Sequence, residues 1–355
     1  MKVIADLYLS ECPAVPTSHI KALEGREFDK SVTIYVTHGC NFRCKTCYLS
    51  AGEPLKNELS VENYEKIFRE IRDLGFQIVY ILGGEPLIRK DIFEIIKRAK
   101  ENSLYVSMSS NGYFINMDNA ERLKDSGLDQ IQISLDSADE RINDIIRGPG
   151  SYRGAIKAIE NLKRTGIKTS LAFTITSLYS NVSEMMKFAN SLGIKLLNIS
   201  VVQPFGRALE NRVLPSIEQV TKAINDIKNS EYDVRLTFNG FRFYLDQEGY
   251  KEARVYARSD YVTCPAGVNR FVIDSNGDVY GCELLMFDEF KEGNIRERGI
   301  SEIWRNGFLI FRERRLPKEC QECPYKDLCQ GGCPARAYLN GGLDRRDILC
   351  KQVIQ

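Results

Sequence analysis

The chain has 355 residues, 49 Lys plus Arg against 48 Asp plus Glu, and a formal net charge of +1 at pH 7. That length accommodates one large domain and a smaller one, and the near-zero balance carries neither a nucleic-acid nor an anionic-membrane signature. No run approaches the ~18 apolar residues of a membrane span, and MKVIADLYLSECPAVP, interrupted by Asp6, Pro13 and Pro16, does not read as a signal peptide. A cytoplasmic enzyme with no nucleic-acid or membrane partner is therefore expected.

Residues 1–30 read as an N-terminal extension. From 31 to about 205, short β-rich runs alternate with helical periods. The expected strands are SVTIYVTH (31–38), IVYILGG (78–84), LYVSMSS (104–110), IQISLD (131–136), TSLAFTIT (169–176) and LLNISVV (196–202). Their nearly continuous apolar character is that of parallel strands buried on both faces. Segments 60–75, 89–102, 118–127, 153–166 and 181–193 read as amphipathic helices, the first with Ser60 as N-cap, and several end in glycine. Six strand–helix units in a row predict an α/β fold with right-handed crossovers. Six are too few to close an eight-stranded barrel, so a partial (β/α)6 TIM-like barrel is expected, with its site at the C-terminal ends of the strands. A helix (215–230) and a strand (234–239) follow. The barrel is placed at 31–255 and a small cysteine-rich domain at 256–355.

The chain has 11 cysteines and only 2 histidines, His19 and His38. In a reducing compartment such thiols read as metal ligands or catalytic groups rather than disulfides, and scarce histidine points to iron–sulfur clusters or structural zinc. Cys40, Cys44 and Cys47 form C-x3-C-x2-C directly after the first strand. Three thiolates on one loop can hold three corners of a 4Fe-4S cube, leaving one iron open to an exogenous ligand. The same spacing also suits zinc with a distant fourth ligand, for which His38 is a candidate.

This motif, in this position, resembles the radical S-adenosylmethionine superfamily, and the resemblance extends over roughly residues 31 to 350. Gly83-Gly84-Glu85-Pro86 matches the family's GGEP segment, which implies contact with the methionine amino group. Glycine lets backbone approach a ligand and a carboxylate can accept from an ammonium. Ser109 and Asn111 in SSNG (109–112), with Ser134 and Asp136 in SLD (134–136), are implied to face the ribose and methionine, though Asn111 and Asp136 also suit helix-capping loops. Arg147 matches an arginine that contacts the cofactor carboxylate, and a solvated surface arginine is the alternative. Thr46 stands where many members have an aromatic residue or histidine; Tyr48 is a candidate to compensate. Asn143 replaces a frequent histidine. Gln203-Pro204-Phe205-Gly206-Arg207-Ala208 resembles a loop of related enzymes with no role assigned.

Cys264, Cys282, Cys320, Cys323, Cys329, Cys333 and Cys350 resemble the seven-cysteine SPASM pattern. The resemblance implies an outer auxiliary 4Fe-4S cluster on Cys320, Cys323, Cys329 and Cys350, and an inner one on Cys264, Cys282 and Cys333. Three 4Fe-4S clusters and S-adenosylmethionine are thus the expected cofactors. Val268–Phe271 supply no further cysteine for the inner cluster. Cys12 is a candidate ligand or a buried structural thiol. FVIDSNGDVYGC carries a hairpin signal at Asn276-Gly277, and Glu283 is a candidate general base if it faces the barrel mouth, or a surface glutamate. A structural zinc module is the alternative for this region.

The implied activity is reductive cleavage of S-adenosylmethionine to a 5′-deoxyadenosyl radical, which abstracts hydrogen from a substrate. Oxidative maturation of a ribosomally made peptide or protein is the leading expectation. A tetrapyrrole or haem-pathway enzyme, which GGCPARAY (331–338) also resembles, is the runner-up, followed by a small-molecule dehydrogenase or epimerase. An iron–sulfur electron carrier is the non-enzymatic alternative. A peptide or small-molecule substrate and an electron donor such as flavodoxin or ferredoxin are the expected partners.

Overall fold

The computed structural model describes residues 30–230, 233–241 and 264–350. The N-terminal extension with Cys12, and the boundary near residue 255, lie outside the described residues.

The six expected strands form in order as β1 (Ser31–Tyr35), β2 (Ile78–Leu82), β3 (Tyr105–Ser110), β4 (Gln130–Ser134), β5 (Lys168–Ile175) and β6 (Leu196–Val201), each parallel to its neighbour. Two further strands lengthen this array. β7 (Arg235–Asn239) pairs parallel with β6, and β8 (Arg270–Ile273), from the cysteine-rich region, pairs parallel with β1 on its other side. β9 (Asp278–Tyr280) and β10 (Lys291–Asn294) complete an antiparallel extension. The sheet therefore has ten strands in the order β10-β9-β8-β1-β2-β3-β4-β5-β6-β7. The cysteine-rich region is not merely appended to the six-unit barrel but supplies the strand that covers the β1 edge.

Helices fill the crossovers: α1 (Val61–Asp73), α2 (Ile92–Glu101), α3 (Met117–Asp125), α4 (Glu140–Arg147), α5 (Ser151–Thr165) and α6 (Val182–Ser191), with α7 (Ile217–Lys228) leading to β7. Local chemistry sets their ends. Asn63 accepts from the Ser60 backbone N–H ahead of α1 (3.1 Å), Asn116 caps α3, and Gly166 closes α5 at φ +73°. Helix α4 is absent from the sequence expectation. Its start is fixed by Asp139, whose carboxylate accepts from the backbone N–H of Arg141 (2.8 Å) and Ile142 (3.1 Å).

The strand faces differ sharply in chemistry. One face carries Val32, Ile34, Val79, Ile81, Val106, Met108, Ile131, Ile133, Leu171, Phe173, Leu197 and Ile199, all buried in the main core with the apolar stripes of the helices. The opposite face, in register across the sheet, carries Thr33, Tyr80, Ser107, Ser109, Gln130, Gln132, Ser134, Ser170, Thr174, Asn198, Ser200, Thr237 and Asn239. A filled barrel of this type packs its interior with branched aliphatic residues; this one presents hydrogen-bonding groups.

The C-terminal region shares the core. The Trp304 ring, on α8 (Ile300–Asn306), lies 4.9 Å from Phe76 and 5.4 Å from Phe271 of β8. Among the described residues no helix is long and apolar enough to cross a membrane.

Candidate active site

The loop after β1 is pinned from both ends. The Cys40 N–H donates to Gly52 O (2.8 Å), Gly52 N–H to His38 O (2.9 Å), and Lys45 N–H to Ile146 O at the end of α4 (2.8 Å). Gly84 and Glu85 reach it from the end of β2, donating to Thr37 O and Gly39 O at 2.8 Å each. A Cβ on Gly84 would collide with the Gly39 carbonyl, so the sequence needs glycine for this approach.

Cys40, Cys44 and Cys47 open onto one cavity of about 250 Å³. Its wall also includes Tyr48, Gly83, Gly84, Ser109, Asn111, Ser134 and Arg147, seven of the residues named from sequence. Thr46 lines it as well. Sequence reasoning missed Gln132, Thr174, Asn198 and Ser200, which continue the polar face of β4, β5 and β6 into the cavity. The period-2 alternation of polar and apolar residues in those strands is the signal that could have found them. Gln203 and Arg207, from the loop left without a role, line it too.

The thiols are costly to ionise unliganded. Burial pushes Cys44 up to about 11, partly opposed by the Arg147 guanidinium, with Cys47 and Cys40 adding to the rise. Burial also raises Cys40. A metal centre replaces these protons and supplies the missing positive charge. Among the described residues, no three His, Cys, Asp or Glu side chains converge on a single-ion position. A cubane is held at separate corners and needs no such convergence. The three-thiol donor set on an open cavity fits it.

Three residues named with the cofactor wall stand behind it. Glu85 is fully buried: its carboxylate accepts from Asn111 N–H (2.7 Å), Ser110 Oγ (2.9 Å) and Leu87 N–H (3.2 Å), tying the end of β2 to the end of β3. Burial pushes its carboxyl up to about 7 against the pull of those donors. Pro86 opens the short 3-10 turn after Glu85. Asp136 pairs with Arg147 at 3.3 Å and accepts from Thr174 N–H at 3.0 Å, so it orients the arginine. Asn143, fully buried, accepts from Asp136 N–H at 2.9 Å and so braces that aspartate. Tyr48 Oη lies 2.6 Å from Tyr35 Oη, and burial raises the Tyr48 phenol.

Glu283 is neither a surface residue nor part of the cavity wall. It is buried, with Arg270 Nη2 donating to one oxygen (2.5 Å) and Thr33 Oγ1 to the other (3.0 Å). The buried guanidinium beside it holds the carboxylate in an ion pair.

The expected hairpin forms between β8 and β9, with Gly277 at φ +92°. Among the C-terminal cysteines, Cys282, Cys320 and Cys333 are buried, and Cys264, Cys323, Cys329 and Cys350 half-buried. Burial raises the Cys320 thiol, and its neighbours Cys350 and Cys323 raise it further, which places these three together.

Comparison with known proteins agrees with this arrangement. The Radical SAM superfamily model matches residues 34–192, and the SPASM iron-sulfur cluster-binding domain matches 264–324, ending before Cys329. Mycofactocin maturase MftC of Mycolicibacterium smegmatis is 33% identical over 329 residues, covering 90% of this chain and 82% of the relative. An AdoMet-dependent heme synthase of Nitratidesulfovibrio vulgaris is 31% identical over 356 residues, covering 93% and 94%. Streptococcus suis SuiB bound to its precursor peptide SuiA has the same fold, with TM-score 0.76 at 20% identity over 94% of this chain and 79% of that one. Iron–sulfur chemistry and S-adenosylmethionine binding follow from these matches. The chain belongs to the radical S-adenosylmethionine superfamily of enzymes and carries a C-terminal SPASM iron–sulfur domain.

Proposed function

We propose that this enzyme oxidatively matures a peptide or protein made on the ribosome. Cys40, Cys44 and Cys47 hold the catalytic 4Fe-4S cluster; Gly83, Gly84, Ser109, Asn111, Ser134, Arg147 and Tyr48 shape the S-adenosylmethionine site, with Glu85, Pro86 and Asp136 setting its wall from behind. Bound there, the reduced cluster supplies the electron that cleaves S-adenosylmethionine to a 5′-deoxyadenosyl radical, which takes a hydrogen from the substrate. Cys320, Cys323, Cys329 and Cys350 hold an outer auxiliary cluster, and Cys264, Cys282 and Cys333 an inner one. A small donor such as flavodoxin or ferredoxin supplies electrons. Glu283 serves as the charge partner of Arg270.

The observation that carries the substrate class is the polar face leading into the cavity. Gln132 is 4% exposed, lines the cavity, and its Nε2 has no hydrogen-bond partner among the described residues. A buried carboxamide offers N–H donors and a carbonyl acceptor side by side, the complement of a peptide amide. Among the described lining residues there is no carboxylate. The PqqA peptide cyclase of Granulibacter bethesdensis, 29% identical over 333 residues, acts on a peptide by its name, and mycofactocin maturase is by its name a maturase. The heme synthase relatives keep a tetrapyrrole acid as the second reading.

Two measurements test this. Anaerobically reconstituted protein should carry about twelve irons, falling to about eight in the Cys40→Ala/Cys44→Ala/Cys47→Ala variant. About four irons with zinc making up the rest would end the auxiliary-cluster reading. Reduced enzyme should form 5′-deoxyadenosine faster with a synthetic peptide from a short open reading frame beside its gene than with a tetrapyrrole carboxylate. The reverse order would transfer the proposal to the haem pathway.

A further inference from the structure

Two motifs singled out in the sequence, QPFGRA at 203–208 and PARAY at 334–338, meet in the fold. Arg336 is fully buried. Its Nε donates to Asp347 Oδ1 (2.9 Å) and its Nη2 to Asp347 Oδ2 (2.8 Å), a bidentate pair. Its Nη1 donates to Gln203 Oε1 at 2.6 Å. Asp347 also gathers the chain around two of the cysteines: its Oδ2 accepts from Cys333 N–H (2.8 Å), and its backbone carbonyl from Cys350 N–H (2.9 Å).

On the other side, the same loop grips the first cysteine motif. Arg207 donates from its backbone N–H to Cys47 O, from Nε to Cys44 O and from Nη1 to Ala51 O, each at 2.9 Å. Gly206, at φ +52°, lets the loop approach so closely that a Cβ would collide with the carbonyls of Cys47 and Tyr48. Gln203 completes the path. Its Nε2 donates to Val201 O at the end of β6 (2.9 Å), and its side chain forms part of the cavity wall.

Two sets of hydrogen bonds thus meet on one short loop: Arg207 holds the backbone of Cys44 and Cys47, Gln203 is held by Arg336, whose partner Asp347 holds the backbone of Cys333 and Cys350, and the chain from Gln203 to Arg207 joins the two sets. The members are buried or half-buried, where such bonds are strong and leaving one unmade is costly. Surface charges alone would not need this arrangement. A fully buried guanidinium has to find an acceptor for each face, and the third acceptor here is a residue of the cavity wall.

We propose that Arg336 is a positioning residue for the S-adenosylmethionine site: through Gln203 it lets the folded C-terminal cysteine turn set the cavity wall at the end of β6. The proposal rests on reading Cys40, Cys44 and Cys47 as the cluster that S-adenosylmethionine meets. It assigns the 203–208 loop a role in the enzyme, and makes cofactor binding depend on a residue that does not line the cavity.

The test is a double-variant cycle on reconstituted full-length protein, reading the S-adenosylmethionine dissociation constant and the electron paramagnetic resonance spectrum of the reduced N-terminal cluster with and without S-adenosylmethionine. Gln203→Leu and Arg336→Met are each expected to weaken binding about tenfold, the size of one lost charge-assisted hydrogen bond. The double variant is expected to bind no more weakly than the worse single one, because both cut the same connection. Should Arg336→Met fail to fold, Arg336→Lys carries the comparison, since lysine can stay against Asp347 but cannot also reach Gln203. Unchanged affinity in the Arg336 variant, with only a lower melting temperature, would overturn the proposal. So would penalties that multiply in the double variant. Failure of the functional reading itself shows separately, as wild-type protein that binds no S-adenosylmethionine.

Discussion

At the scale of single residues, the cysteines and the glycine–glutamate turn carry most of the information. Glu85 shows how far motif reasoning reaches. Its type and position are legible, but its carboxylate is turned into the wall, accepting from Ser110, Asn111 and Leu87. No sequence spacing reports that, because Ser110 and Asn111 lie at the end of a strand met some twenty-five residues later. The burial that makes Glu85 a brace also makes its charge expensive, and lifts its pKa to about 7 from an unfolded value of about 4.3. Between those values the folded state holds a proton that the unfolded state has lost. The contribution to stability is complete below about pH 4 and disappears as pH rises through about 7. Protein without loaded cofactors should lose about 1 kcal/mol between pH 6 and pH 8 from this group. Melting temperatures at the two pH values test it. Glu85→Gln should melt lower throughout, since one of the three donors then meets an amide N–H₂, but with this pH dependence flattened. An equal slope in both proteins would place the titration elsewhere.

At the scale of elements, strand positions followed from β-rich runs of the right length, and helix ends from Ser60 and closing glycines. The strand faces were less legible. TSLAFTIT and LLNISVV look continuously apolar by composition, yet Ser170, Thr174, Asn198 and Ser200 all point to one side, because residues two apart share a face. Register from β4 to β7 then stacks Gln132 beside Ser170, and Asn198 beside Thr237, which no single strand announces. Helix α4 was missed because its eight residues sit inside a segment read only for Asn143 and Arg147, although Asp139 caps it. The polar face yields a prediction that separates function from folding. Gln132 has a buried donor with no partner among the described residues, an arrangement that costs stability in the empty protein. Gln132→Leu should therefore fold as well as the parent or better, by about 1 kcal/mol in urea denaturation. The same change should raise the KM of a peptide substrate about tenfold, since the peptide loses its amide partner. A variant destabilised by ~2 kcal/mol or more would show that the carboxamide already has an internal partner, and would remove it from the substrate site.

At the scale of the whole molecule, the cysteine-rich region and the barrel divide more easily in sequence than in space. The composition shift after residue 255 reads as a boundary, yet β8 lies beyond it and pairs along Ser31–Ile34. Thr33 donates to Glu283, His38 Nε2 sits 2.7 Å from Asp274 Oδ1, and Trp304 packs between Phe76 and Phe271. The contacts of Thr33 with Glu283, His38 with Asp274 and Phe76 with Trp304 all cross that boundary, joining residues far apart in the chain, so local patterning gave no sign of them. Their consequence is a shared fate in folding. A fragment spanning 30–241 would leave the backbone of β1 unpaired along one side, strip Phe271 and Trp304 from Phe76, and remove the carboxylate that Thr33 meets. An exposed, apolar edge strand of that kind is a template for pairing with other chains. We expect the fragment to aggregate or to give no cooperative transition, whereas residues 30–350 unfold in one transition with coincident far-ultraviolet circular dichroism and tryptophan fluorescence profiles. Trp304 makes the comparison direct. It is the chain's single tryptophan and lies in the C-terminal region, so its fluorescence reports that region while circular dichroism is dominated by the barrel. Two separated transitions, or a monomeric 30–241 fragment with native helix content, would mean that the two parts fold independently and that β8 docks on a barrel already complete. Coincident transitions would mean that the auxiliary cysteines and the catalytic loop are positioned by one core.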